Sequence, residues 1–168
     1  QGARLFQAGQ IDPFRYRVVG PVYDVLLGIV AWVLRDFVVA GRVIAIASVV
    51  GTWMLWSAVA RNRLGDVAAF WTTLFMATNA VLFQAGHSLV SHGVALCAQS
   101  ASILFLTKYR NGWGAVVAGT LAGLATLTRY PAVVLVPAAW LVILVLDRSE
   151  WKHRWRGVAL HVLGFMIV

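Results

Sequence analysis

The chain has 168 residues, 61% of them hydrophobic and only 12% charged, with a mean hydropathy of +0.80. A soluble core of this size cannot hide so much apolar surface, so a disordered tail and a conventional soluble enzyme are excluded. Fourteen Lys and Arg face six Asp and Glu, a net charge of +8. The basic residues sit in short gaps between apolar runs, where cytoplasmic membrane loops carry them, so nucleic acid is not an expected partner. The composition is that of a polytopic membrane protein.

In chain order, the first segment carries Arg4, Arg15, Tyr16 and Arg17 ahead of Gly20-Pro21-Val22-Tyr23-Asp24. A basic-aromatic patch before an apolar helix anchors at lipid headgroups, and Arg17 could also contact a lipid phosphate. Val18–Leu34 is apolar enough to span, but a mid-membrane carboxylate such as Asp24 costs about 2.5–3.5 kcal/mol. Asp24 either pairs with Arg17 or Arg35 or faces a polar cavity. If the segment spans, Arg4, Arg15 and Arg17 are cytoplasmic; if it lies along the membrane, they are external.

Five stretches then reach or approach crossing length: Val43–Ala60, Val67–Gly86, Ser88–Thr107, Asn111–Thr128 and Tyr130–Leu146. Gly157–Val168 begins another. A hydrocarbon core of ~30 Å needs about 20 helical residues, and every backbone group within it must be satisfied internally, so helices are expected. The expected fold is an all-α, polytopic transmembrane bundle. It has about five complete spanning helices, a juxtamembrane N-terminal helix and a truncated C-terminal helix. Residues 1–36 form an external loop and juxtamembrane helix, and residues 37–168 the transmembrane part. The chain opens on Gln1 and stops within an apolar run, so it reads as one domain of a longer protein.

The gap charges set an orientation. Arg61 and Arg63, then Lys108 and Arg110, then Arg148, Lys152, Arg154 and Arg156 fill alternate gaps, which the positive-inside rule places in the cytoplasm. Trp151 and Trp155 suit an interfacial belt. The gaps around His87 and Arg129 fall on the opposite side. Ala115, Gly119 and Gly123 form a small-residue stripe suited to close helix packing. Cys97, the single cysteine, lies inside an apolar run, so no intramolecular disulfide forms, and it reads as a packing residue.

Polar residues in so apolar a chain are the functional candidates. Arg129 breaks an apolar stretch on the charge-poor side. It is either a snorkelling interfacial arginine or a cation holding an anionic group such as a phosphate. Tyr130 beside it is a further ligand-binding candidate. Arg42, following Gly41 at the start of the first clear span, reads as a helix-end anchor. His87, Ser88, Ser91 and His92 make a polar turn, with His87 and His92 able to bond a ligand. Two histidines without a carboxylate nearby make a weak metal signal, and a polar interhelical turn is the plainer reading. No nucleotide loop or Ser-His-Asp arrangement is present.

Gly119–Pro137, Gly-Thr-Leu-Ala-Gly-Leu-Ala-Thr-Leu-Thr-Arg-Tyr-Pro-Ala-Val-Val-Leu-Val-Pro, resembles a segment of the GT-C superfamily of membrane glycosyltransferases. That superfamily includes protein mannosyltransferases and lipid A aminoarabinose transferases. Ala3–Pro21 is similar to its first external loop. Gly41-Arg42 followed by Ile46–Gly51 is similar to the arginine-led start of its next helix. The resemblance implies inverting transfer from a polyprenyl-phosphate-linked sugar to a lipid, glycan or protein acceptor on the external face. It implies that Arg129, with Arg42, binds the donor phosphate. It places Val18–Leu34 along the external surface. The catalytic base would be an acid upstream of Gln1, since Asp12 matches that position poorly. His92 stands where relatives carry an Asp. No cofactor is certain, and a divalent metal is compatible. The expected location is a multi-pass position in a prokaryotic plasma membrane, among membrane lipids. The alternative is a non-catalytic polytopic protein: a transporter, an assembly subunit or a degenerate transferase relative.

Overall fold

A computed structural model describes residues 4, 8–9, 20–79, 91–109, 112–141, 143–144 and 151–168. Every longer regular element among them is helical. They are α1 (Val22–Leu34), α2 (Phe37–Leu64), α3 (Asp66–Thr78), α4 (His92–Lys108), α5 (Gly112–Thr128), a 3-10 turn (Tyr130–Val134) running into α6 (Leu135–Leu141), and α7 (Trp151–Met166).

Helix α2 shows why hydropathy alone misplaces ends. Asp36 caps it, its Oδ1 accepting from Val38 N at 2.7 Å and Val39 N at 3.1 Å. This satisfies two of the amide groups a helix start leaves open. The helix therefore begins before Arg42, which lies exposed in its second turn. Gly65, at φ 90°, ends it and donates to Arg61 O at 3.1 Å. Its backbone angle suits only glycine, so the chain reverses there at once into α3.

Only α2, with 28 residues, is both long and apolar enough to cross a bilayer among the described residues. Its rise of about 42 Å exceeds the ~30 Å hydrocarbon core. The expectation of five spans is thus met in full once. Asn111–Thr128 becomes a 17-residue helix, Gly112–Thr128. Ser88–Thr107 becomes His92–Lys108, and Val67–Gly86 is described as helix only to Thr78. Tyr130–Leu146 is not one continuous α-helix, because Pro131 sits in a 3-10 turn and Pro137 in the seven-residue α6. Each proline removes a backbone donor and fixes φ. Val18–Leu34 yields 13 helical residues, about 20 Å, which is short of a crossing. At the other end α7 starts at Trp151, so Lys152, Arg154 and Arg156 lie on a helix and not in a loop.

The interior is built from small residues. The buried apolar set is mostly alanine, while Trp32 (79% exposed), Trp113 (83%) and Phe70 (61%) stand outside. A water-soluble protein buries its large apolar residues and exposes smaller or polar ones. The reverse arrangement fits an outer surface facing hydrocarbon, where close backbone approach holds helices together. The α5–α7 contact is the tightest example. A Cβ on Gly119 would strike the carbonyl oxygen of His161, and one on Gly164 that of Val116. The stripe of Ala115, Gly119 and Gly123 does pack a helix, as its spacing suggests. Cys97 likewise packs, its Sγ set against Gly51 of α2.

Cross-helix contacts fix direction. Gly93 lies against Ser48 and Gly51 against Cys97, while Arg63 Nη2 donates to Thr107 O at 2.8 Å, so α2 and α4 run parallel. Ser102 Oγ donates to Ala118 O at 2.8 Å and Gly114 abuts Tyr109, so α4 and α5 run antiparallel. Helix α7 runs parallel to α5. One end of the bundle therefore collects the starts of α2 and α4 and the finish of α5. The other collects Arg61, Arg63 and Lys108 with the basic start of α7. The alternation of charged and uncharged gaps along the chain becomes a separation in space.

Candidate functional site

The starts of α2 and α4 meet the finish of α5 at the end of the bundle away from Arg61, Arg63 and Lys108. Arg129 leaves the helix in an extended conformation, φ −149° and ψ 115°, with its own amide still bonded to Ala125 O at 2.8 Å. Its carbonyl then accepts from Ala132 N at 2.9 Å, opening the 3-10 turn. Thr128 before it is fully buried, and its hydroxyl bonds back to Leu124 O at 2.7 Å. The backbone carrying Arg129 is therefore held on both sides, while its side chain is half-buried.

The N-terminal segment closes on this point. Gly20 N donates to Thr128 O at 3.2 Å, and a Cβ on Gly20 would strike the carbonyl of Leu127. Only a glycine lets the backbone at position 20 approach the end of α5 so closely. One turn later comes Asp24, half-buried in the first turn of α1, where a carboxylate is favoured by the helix dipole. Tyr23 is buried, and its hydroxyl has no hydrogen-bond partner among the described residues. Burial, and then the Asp24 carboxylate, push its phenol above the ordinary value.

His92 is exposed as the first residue of α4, following the buried Ser91. Gly93 sits against Ser48 and the Ala45 carbonyl, one turn along α2 from Arg42. The antiparallel register of α4 and α5 brings the start of one to the finish of the other. Arg42, His92, Arg129 and Asp24 thus share one end of the bundle. Among the described residues no hydrogen bond or ion pair joins Arg42, His92 and Arg129 to one another. Tyr130 is exposed at the head of the 3-10 turn. Arg17 and His87 lie outside the described residues. Among the described residues no group of three His, Cys, Asp or Glu could hold a metal ion.

Among the described residues Arg129 has no carboxylate partner, and a half-buried guanidinium presents planar forked donors matched to a phosphate. The sequence model of the dolichyl-phosphate-mannose-protein mannosyltransferase family matches residues 18–168. The chain belongs to that family. No curated protein and no solved structure matches it. The mannosyltransferase family is one of membrane-integral glycosyltransferases that use polyprenyl-phosphate-linked sugars. The resemblance read from Gly119–Pro137 is therefore correct at family level, and those residues run from the second half of α5 through Arg129 and the 3-10 turn into α6.

The docking of Gly20 and the cap at Asp36 escaped sequence reading. Asp36 had a signal, an acid just before an apolar run. Gly20 had only the Gly-Pro pair, which marks a turn and says nothing of what it touches.

Proposed function

We propose that this chain forms part of an inverting glycosyltransferase acting at the external face of the membrane. A sugar on a polyprenyl phosphate is the donor, and an acceptor hydroxyl or amine attacks its anomeric carbon. The bond from that carbon to the phosphate oxygen breaks as the new one forms on the opposite face. The acceptor proton passes to a base, which we assign to an acid preceding Gln1. Negative charge grows on the leaving phosphate, and a fixed cation there lowers the barrier.

Arg129 is the observation that carries this reading. It is half-buried, its backbone is locked, and it lies at the end of the bundle away from Arg61, Arg63 and Lys108. Arg42 is the proposed second cation, and His92 and Asp24 the proposed contacts to the sugar or acceptor. Tyr130, Arg17 and His87 complete the candidate set. The α1 helix, too short to cross, is proposed to lie along the external surface.

The test is transfer from a lipid-linked sugar by the full-length protein. Arg129→Ala should lower kcat by about 10²–10³, the loss typical of removing one transition-state donor. Arg129→Lys should recover only part of it, because a point charge lacks the planar fork. Membrane insertion should be unchanged in both. Full activity in Arg129→Ala would remove the donor-phosphate assignment. Full activity in the combined Arg42, His92 and Arg129 alanine variant would move the whole donor site away from this end of the bundle.

A further inference from the structure

A groove of about 670 Å³ opens between α2, α3 and α4 at the end of the bundle opposite Arg129. Its wall is apolar, formed by Trp53, Met54, Phe70 and Leu104. Its mouth is polar, with Arg61 and Lys108 beside Asp66. Val50 lines its deep end, and from Val50 to Arg61 the helix rises about 16 Å. That is the depth of one leaflet, half of a ~30 Å hydrocarbon core.

The mouth carries excess positive charge. Arg61 Nε meets Asp66 at 2.9 Å, with both side chains mostly exposed. That carboxylate faces two cations of the lining, Arg61 and Lys108, and Arg63 lies beyond Arg61, outside the lining. Arg63 is tied to Thr107 O at 2.8 Å, and Lys108 Nζ lies 5.2 Å from the Tyr109 ring. Part-way down, Ser57 and Thr73 share a hydrogen bond of 2.8 Å, so these hydroxyls ask nothing of an occupant. An apolar slot of one-leaflet depth under a cationic rim matches one chemistry: an acyl chain below an anionic headgroup.

We propose that this groove binds an anionic phospholipid from the leaflet at the basic end. The site is separate from the donor site proposed above, and its failure would leave that reading intact. Arg61 and Lys108 hold the headgroup phosphate. The acyl chain lies along Trp53, Met54 and Phe70 and fills the space that α3 leaves against α2 and α4.

The experiment uses the full-length protein in nanodiscs of phosphatidylcholine with graded phosphatidylglycerol, followed by native mass spectrometry of retained lipid. One phosphatidylglycerol per chain should be retained, at least about tenfold in preference to phosphatidylcholine. A basic side chain near an anionic headgroup is worth about fivefold, so Arg61→Gln with Lys108→Gln should bring the two lipids near parity. Ala58→Phe fills the groove without changing charge and should expel both. Equal retention of the two lipids by the unaltered protein would overturn the proposal. So would retention of phosphatidylglycerol by a folded Ala58→Phe variant, or its displacement by millimolar inorganic phosphate, which would mark a free-anion site. Should Ala58→Phe not fold, the charge variant decides alone, and undiminished preference in it overturns the proposal.

Discussion

Helices α5 and α7 touch backbone to backbone, whereas α2 and α3 stand apart over a groove. In the first pair Gly119 and Gly164 leave no room for a Cβ. In the second, Trp53, Met54 and Phe70 line an open groove along the pair, and the described polar link between the helices deep in the hairpin is the Ser57–Thr73 hydrogen bond. Within lipid no hydrophobic force favours one arrangement, since side chains and acyl tails are equally apolar. Close dispersion contact therefore makes a rigid joint, and bulky side chains make one that a lipid can share. The rigid joint lies in the helix that ends at Arg129. The open one lies at the far end, next to the basic rim.

The comparison breaks most readily at α5–α7. Gly164→Val should destabilise the full-length protein by roughly 3 kcal/mol, because the added methyls meet a carbonyl in the facing backbone and not a movable side chain. Thermal unfolding in detergent measures it, and an unchanged midpoint would mean the two helices are not in backbone contact. Gly20→Ala tests the second close approach. It should undock the start of α1 from Leu127 and lower transfer activity by about tenfold, with an apparent cost of 1–2 kcal/mol. Activity equal to the unaltered protein would separate the N-terminal segment from the site. Ser57→Ala removes the hydroxyl link of the open joint, and the expected loss is only about 0.6 kcal/mol, the usual size of an interhelical hydrogen bond in a membrane. A loss as large as that of Gly164→Val would erase the distinction between the two joints.

The sequence showed the helical class and the stripe of Gly119 and Gly123, because both follow from residue size and the absence of charge over long runs. It also showed that Arg61, Arg63 and Lys108 belong together and apart from Arg129, since alternate gaps of a helical bundle must fall at opposite ends. Helix ends were less legible. Hydropathy stopped the first span at Val43, but Asp36 starts it earlier and Arg42 rides on its exposed face. Lys152, Arg154 and Arg156 looked like a loop because they are charged, yet lysine and arginine are good helix formers. Pro131 and Pro137 lie in an apolar run that hydropathy cannot interrupt. Of the site, Arg129 stood out by its charge. The approach of Gly20 to Leu127 is a contact between distant segments, and no local pattern carries it.

His161 is the exception within the rigid joint, and it yields the smallest and most informative test. It is fully buried on α7, and neither ring nitrogen has a hydrogen-bond partner among the described residues. A neutral imidazole holds one donor and one acceptor, and each costs about 1–3 kcal/mol when buried unpaired. An interface of Ala and Gly would be served better by an apolar side chain of similar volume. His161→Leu should therefore leave the unfolding midpoint unchanged or raise it slightly, by up to about 1 kcal/mol, without altering transfer activity. A clear fall in stability would mean that the ring finds a partner beyond the described residues. The α5–α7 joint would then be held by a polar bond as well as by close packing. The contrast with the Ser57–Thr73 link would narrow to a difference in helix separation alone.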